Sequence, residues 1–293
     1  MAPQPQSVHD PAVSLVVANL LFFATALAYL AASVLFLGFL AGAKGASSSA
    51  RFAPVLLGIG AAMHCAHIYV AAEVAHVCPV VGIHSAMSVA SFFVCVAYLG
   101  LRPRWRIDVL GAFVTPLALT SLLASRFVGG GDIAPGPAFK SAFLPLHVAI
   151  NMLGFAFFSL ASGAAVAYLV QDKLVKKKRL AGIFQRLPPL DSLDRAEHKL
   201  LLWSFPLFTI GIITGAIWTK ELEVAGIVTI LHAALGYGAW VICAAVLLLR
   251  AGAGWRGRRA AYGTIAGFGF TVLLLLLYLL RTPAGEAAVA LRP

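Results

Sequence analysis

Eight long apolar runs decide what this chain can fold into. A helix rises about 1.5 Å per residue and bilayer hydrocarbon is about 30 Å thick, so a spanning helix needs roughly 20 mostly apolar residues. Stretches at about 14–41, 53–72, 81–101, 107–125, 141–170, 198–219, 226–250 and 260–281 meet that requirement, with Gly, Pro and charged residues mainly between them. The runs are too long for barrel strands and lack their alternation. Only 11% of the residues are charged, against about a quarter in soluble domains. That excludes a soluble enzyme, a disordered chain and a collagen-like fibre. The expected fold is all-α: a polytopic transmembrane helix bundle of about eight spans, forming one integral-membrane domain over 1–293.

The net charge of +11 could point to nucleic acid, but its placement reads as membrane topology instead. Of the 22 Lys and Arg, 17 lie in the gaps 42–52, 102–106, 171–199 and 250–259. Every second gap is therefore basic, as an even number of spans with both termini outside the cytoplasm requires. With acids counted, 17 cations against 5 acids leave +12 inside, and 5 against 6 leave −1 outside. The N-terminal MAPQPQSVHDPAV lacks a positive n-region, and the first apolar run exceeds a signal peptide's, so the reading is a retained first helix.

The largest soluble segment is the cytoplasmic basic linker 171–199. Its KLVKKKR run reads as a topology anchor at anionic headgroups. The following LPPLDSLDRAEH fits a Pro-kinked turn and a short interfacial helix capped by Asp191 or Ser192.

The eight histidines carry the chemistry. Ionisable side chains within a span are costly and usually functional. By the topology above, His64, His67, His76, His84, His147 and His232 lie in or just above the outer half of the membrane; His9 is in the outer tail and His198 is cytoplasmic. A neutral imidazole nitrogen is a metal and haem ligand, and two histidines from different helices can clamp a haem iron from both faces. The candidates are His147, His232, His84 and one of His64 and His67, which share a helix face. A lone intramembrane histidine is more often bonded to a carbonyl or hydroxyl, and that reading stands beside each; it is preferred for the loop residue His76. His198, beside Lys199, reads as interfacial and solvated.

Zinc competes as the metal, since His64-Cys65-x-His67 resembles a ligand pair, but no acidic partner lies in the nearby spans; copper stays open. The four cysteines form no C-x-x-C, which argues against a thiol-disulfide carrier. Cys78 lies outside, while Cys65, Cys95 and Cys243 read as small buried apolar residues. No nucleotide-binding or hydrolase motif is present, and the runs do not split into two similar halves as in many transporters.

These residues resemble a known family. LPPLDSLDRAEHKLLLWSFPLFTIGIITGAIW (187–218) is similar to the linker and sixth helix of CcsA/HemX/YpjD-type cytochrome c assembly proteins, with their Thr-x-Gly-x-x-x-Gly-x-x-Trp ending. GWRGRRAAYGTIAGF (254–268) resembles their Gly-Trp-Arg-Gly-Arg turn into the last helix. Residues 88–125 and 146–178 resemble the third to fifth helices, and the likeness covers about 84–281.

The resemblance implies handling of haem b, in a bacterial inner membrane, for attachment to c-type cytochromes on the outer side. It also implies apocytochrome c and a second membrane assembly protein as partners, with no turnover chemistry of the chain's own. His147 falls on the family's external histidine of the fifth helix, His232 near that of the seventh, and His64 or His67 near the intramembrane histidine of the second. One departure stands out: the tryptophan-rich W-G-x-x-W-x-W-D segment is missing after Trp218, where the chain reads TKELEVAGIVTILHAALGYGAW. Trp218, Tyr237 and Trp240 are the aromatics left nearby, and Trp218 and Trp240 are the candidates to flank a haem. The chain thus sits nearer the HemX/YpjD branch, where an accessory or regulatory scaffold without haem is the alternative role. A small-solute transporter with histidines lining its path is the third reading.

Overall fold

A computed structural model describes residues 11–42, 46–75, 83–105, 107–127, 138–179, 181–219 and 227–290. His9, His76, Cys78 and the 129–131 glycines lie outside the described residues. Eight helices follow one another: α1 (Pro11–Ala41), α2 (Ala46–Ala75), α3 (Ile83–Trp105), α4 (Gly111–Phe127), α5 (Ala138–Lys176), α6 (Leu190–Thr219), α7 (Ile227–Gly252) and α8 (Arg258–Ala290). Short 3₁₀ turns stand at Asp108–Leu110 and Gly182–Arg186. Among the described residues, α1 to α6 each contain a span long and apolar enough to cross a membrane, and α7 contributes a shorter apolar stretch, Gly236–Gly252. The protein is a polytopic helical membrane bundle.

The sequence sorts the faces of these helices by a 3.6-residue period. On α1, Leu20, Phe23, Leu27, Leu30, Val34 and Leu37 are exposed at alternating steps of three and four, a stripe suited to lipid. The opposite stripe, Phe22, Thr25, Tyr29, Ala32 and Phe36, is buried. Helix α1 packs along α2 and α4, while α5 packs along α3, α6 and α8. The α5 span is the most enclosed, with 61% of it buried against 22% for α2. It is the post that joins the two halves of the bundle, α1–α4 and α5–α8.

The basic residues gather at one end of the bundle. The Arg186 guanidinium donates to the Phe39 carbonyl at the end of α1. The Trp105 ring at the end of α3 meets Trp203 of α6 at 5.3 Å, with Lys199 over its face. Arg102 pairs with Asp108 at 2.5 Å, and Arg258 of α8 with Asp172 of α5 at 3.4 Å. The tightest device is the buried Asp194 carboxylate on α6: one oxygen takes the Arg250 guanidinium from α7, and the other accepts the Gly257 N–H at 2.8 Å. The ends of α6, α7 and α8 are fastened through one side chain. Beside it, the buried Glu197 accepts from Thr264 of α8 at 2.6 Å.

Four sequence expectations change here. The 171–199 linker contracts, because α5 continues to Lys176 and α6 begins at Leu190. The segment read as a short interfacial helix is the opening of α6 itself. Its first turn is started by the Pro189 carbonyl, which accepts the Ser192 and Leu193 N–H groups, while Asp191 pairs with Arg195. His198 is half-buried, not solvated, because Asp194, Glu197 and His198 follow the face of α6 turned toward Arg250; its Nδ1 is enclosed without a partner. Cys95 and Cys243 are buried as expected, but Cys65 is exposed. With His64 turned fully inward, the next residue, about 100° round the helix, faces out.

Removing one partner of a buried ion pair strands the other charge, which typically costs about 3–5 kcal/mol. Arg250→Ala should therefore lower the Tm of the detergent-purified protein by several degrees. Arg195→Ala, which breaks the exposed pair with Asp191 and a 3.4 Å hydrogen bond to Ser192, should leave it within about a degree, since such i,i+4 pairs contribute about 0.3–0.5 kcal/mol.

Candidate functional site at the histidine end

At the end of the bundle opposite the basic rim, the histidines fall into two groups, one in each half. The first spans α1, α2 and α3. Gly60 lets the Tyr29 ring lie against α2, since a Cβ there would sit 2.9 Å from that ring. The Tyr29 hydroxyl then reaches His64 Nδ1 at 3.1 Å, while Ser88 of α3 holds His64 Nε2 at 2.9 Å. His64 is fully buried, and both its ring nitrogens are bonded to hydroxyls.

His67, one turn on, differs. Its Nδ1 lies 2.9 Å from the Ala18 carbonyl, an oxygen that can only accept. Nδ1 therefore carries the proton, and Nε2 holds the lone pair. The His64 and His67 rings are 6.2 Å apart, and Phe22 meets His67 edge-on at 5.5 Å. His84, at the start of α3, sits one turn before Ser88; Ser85 contacts its Nε2 at 3.0 Å, and its Nδ1 is buried without a partner.

The second group joins α5 to α6. The Gly211 and Gly215 pair opens a groove on α6. A Cβ at Gly211 would collide with the Asn151 amide of α5, and one at Gly215 would lie 3.0 Å from the His147 ring. Into that groove His147 sets its Nδ1, 2.8 Å from Thr214 Oγ1. The single Thr214 hydroxyl proton is already directed to its own helix, at the Ile210 carbonyl 2.8 Å away. Thr214 thus accepts from His147, and again Nδ1 bears the proton and Nε2 the lone pair. Asn151 gives its amide to the His147 carbonyl at 2.8 Å and stands 3.4 Å from the ring nitrogens.

His232 lies on the second turn of α7 and Trp218 at the end of α6, both with side chains outside the description. Trp240 is committed between helices, donating to Thr209 Oγ1 at 2.9 Å and stacking on Phe205 at 5.8 Å. Thr209 precedes Thr214 by five residues, so Trp240 is held about 7.5 Å closer to the basic end than His147. Among the described residues no group of three or more His, Cys, Asp or Glu is placed to hold a metal ion. A zinc site built on the His64-Cys65-x-His67 run has no such group, and Cys65 points away from it.

Sequence reasoning missed the groups that set each imidazole: Tyr29, Ser88, Thr214, Asn151 and the Ala18 carbonyl. Asn151, four residues after His147, was visible as a polar neighbour on the same face. The others come from different helices, and no local pattern announces them.

A membrane bundle with imidazoles hydrogen-bonded from neighbouring helices at the end away from its basic rim defines a class of polytopic helical proteins with intramembrane histidines. The family is specific: the model described as Cytochrome C assembly protein matches residues 11–282, and the chain belongs to that family. It is 29% identical over 202 residues to the cytochrome c biogenesis protein CcsA of Guillardia theta, covering 59% of this chain and 63% of that one. To the CcsA of Gloeothece citriformis it is 24% identical over 248 residues, 65% and 73% of the two chains. A third relative, Protein HemX of Brevibacillus brevis, is 28% identical over 143 residues, 48% and 53% of the two. The match thus spans just under two thirds of the Guillardia theta protein's length.

Overfilling a packed interface costs about 1–3 kcal/mol. Gly211→Val should push Asn151 and α5 away from α6 and lower the Tm, whereas Gly236→Ala, with nothing within 4 Å of its added Cβ, should leave the Tm unchanged.

Proposed function

We propose that this protein acts in cytochrome c biogenesis as a haem-handling factor of a bacterial inner membrane, with its basic end in the cytoplasm and its histidine end toward the outer side. The observation that carries the reading is the state of two imidazoles. His67 and His147, on separate halves of the bundle, each commit Nδ1–H to a fixed oxygen, which leaves the lone pair on Nε2; at His147 the Asn151 amide stands 3.4 Å from that nitrogen. That second-sphere arrangement is typical of histidines that ligate iron or zinc, because the hydrogen bond fixes the tautomer and orients the ring. His64 has neither nitrogen free, so of the second-helix pair His67 is the better ligand and His64 its buried neighbour.

The residues in this reading have separate duties. His147, oriented by Thr214 and Asn151, is the ligand on α5, and His232 is its partner from α7. His67 is the ligand of a second station, between α1 and α2. Haem b, as the cargo, would supply an iron able to take imidazole nitrogens as ligands. Apolar helix faces exclude water from the sites, and neutral imidazoles suit that surrounding. Apocytochrome c and a second membrane assembly protein are the proposed partners. The missing tryptophan-rich segment, together with the HemX likeness, favours an accessory role in which haem is held or passed on within the membrane over direct presentation to an apocytochrome.

The test is the absorption spectrum of the purified full-length protein. A Soret band should be present, as isolated or after haem addition, and His147→Ala/His232→Ala should remove the part held between α5 and α7, leaving only what the His67 station binds. A colourless protein that takes up no added haem would move the role to a non-haem scaffold. Haem-independent solute uptake in vesicles would move it to a transporter.

A further inference from the structure

The outer end of the first half holds an arginine that the histidine reading leaves unused. Arg126 lies in the last turn of α4, where a cation suits the helix dipole, but its side chain is not simply solvated along its own helix. It crosses to α1. Its guanidinium donates to Asn19 Oδ1 at 2.7 Å and lies over the Phe22 ring, 5.5 Å from the centroid. The neighbouring Ala18 carbonyl is the group that holds His67, and the same Phe22 ring meets the His67 ring. Three features within five residues of one helix, the Ala18 carbonyl, the Asn19 amide and the Phe22 ring, thus set an imidazole and a guanidinium side by side. Among the described residues no carboxylate pairs with Arg126.

This juxtaposition has a definite chemistry. His67 Nε2 carries a lone pair for a metal in the apolar layer, and Arg126, exposed at the rim, offers a planar fork of N–H donors matched to a carboxylate. Asn19 and Phe22 restrict the fork, so less order remains to be imposed when an anion arrives. The pairing fits an amphipathic ligand with a metal in an apolar body and carboxylates at its edge.

We propose that Arg126 is a carboxylate clamp for the His67 station, binding a propionate of the metalloporphyrin whose iron His67 would take. The proposal rests on the haem reading above and adds what determines which ligand the station accepts. Asn19 and Phe22 are positioning residues; Arg126 touches the ligand. The clamp makes acidity of the ligand's edge, and not only its flat apolar surface, a condition for binding.

The experiment uses the full chain carrying His147→Ala/His232→Ala, so that the α2 station alone is read, titrated with haem and with haem dimethyl ester while the Soret band is followed. Haem should bind about tenfold or more tightly than the diester, the range a charge-assisted hydrogen bond supplies. Arg126→Gln should bind both at the diester's affinity with the Soret maximum unmoved, because iron ligation is untouched. Arg126→Lys, which keeps the charge without the fork, should retain part of the preference and guards against a folding defect in the glutamine variant. His67→Ala should abolish the band for both porphyrins. An unchanged preference in Arg126→Gln would overturn the clamp while leaving the haem reading standing, as it would if a lipid phosphate were the anion at Arg126. Failure of this chain to bind either porphyrin while the unmutated protein binds haem would overturn the α2 station. Failure of the unmutated protein to bind haem would remove the reading beneath both.

Discussion

A polar atom inside bilayer hydrocarbon has to find its partner within the protein, and the architecture follows from how that demand is met. Hydroxyls meet it first by bonding to their own helix. Thr115, Ser159, Thr209, Thr214 and Thr271 each donate to the carbonyl four residues back. A hydroxyl that has given away its only proton can then serve a neighbouring helix solely as an acceptor. Thr209 does so for the Trp240 indole, and Thr214 does so for His147. Helix association and imidazole tautomer are thus fixed by the same local bonds.

The same demand separates His64 from His67, although they sit three residues apart in one helix. His64 points into the region where α1, α2 and α3 meet, and two hydroxyls consume both its nitrogens. His67, a turn nearer the end, finds a backbone carbonyl, which satisfies one nitrogen and defines the other. Spacing alone cannot make this distinction, since both residues lie on one face of α2; it depends on Tyr29 from 35 residues upstream and Ser88 from 24 downstream.

What was legible in the sequence divides along the same line. Eight helices, their approximate bounds and the single basic rim are written in composition and charge, because the bilayer imposes length and topology residue by residue. The Gly211 and Gly215 spacing was visible as a motif, but its meaning, a groove for His147 and Asn151, needed the facing helix. The extent of the 171–199 linker was misread because LPPLDSLDRAEHK is polar. Asp194 and Glu197 carry that polarity inward, into bonds with Arg250, Gly257 and Thr264 that no local pattern reveals. Arg126 lies outside the four basic gaps of the sequence, and only the fold brings Asn19 and Phe22 of α1 beside it.

The two ends of the second half are fastened by interactions of unequal strength. At the basic end a buried carboxylate binds α6 to α7 and α8, and breaking such a pair costs about 3–5 kcal/mol. Toward the histidine end the described ties are neutral hydrogen bonds, His147 to Thr214 and Trp240 to Thr209, each contributing about 0.5–1.5 kcal/mol. A displacement that separates α7 from α6 is therefore cheaper at the Trp240–Thr209 bond than at the charged rim, where Asp194 holds Arg250, so the α6–α7 pair is closed more firmly at one end.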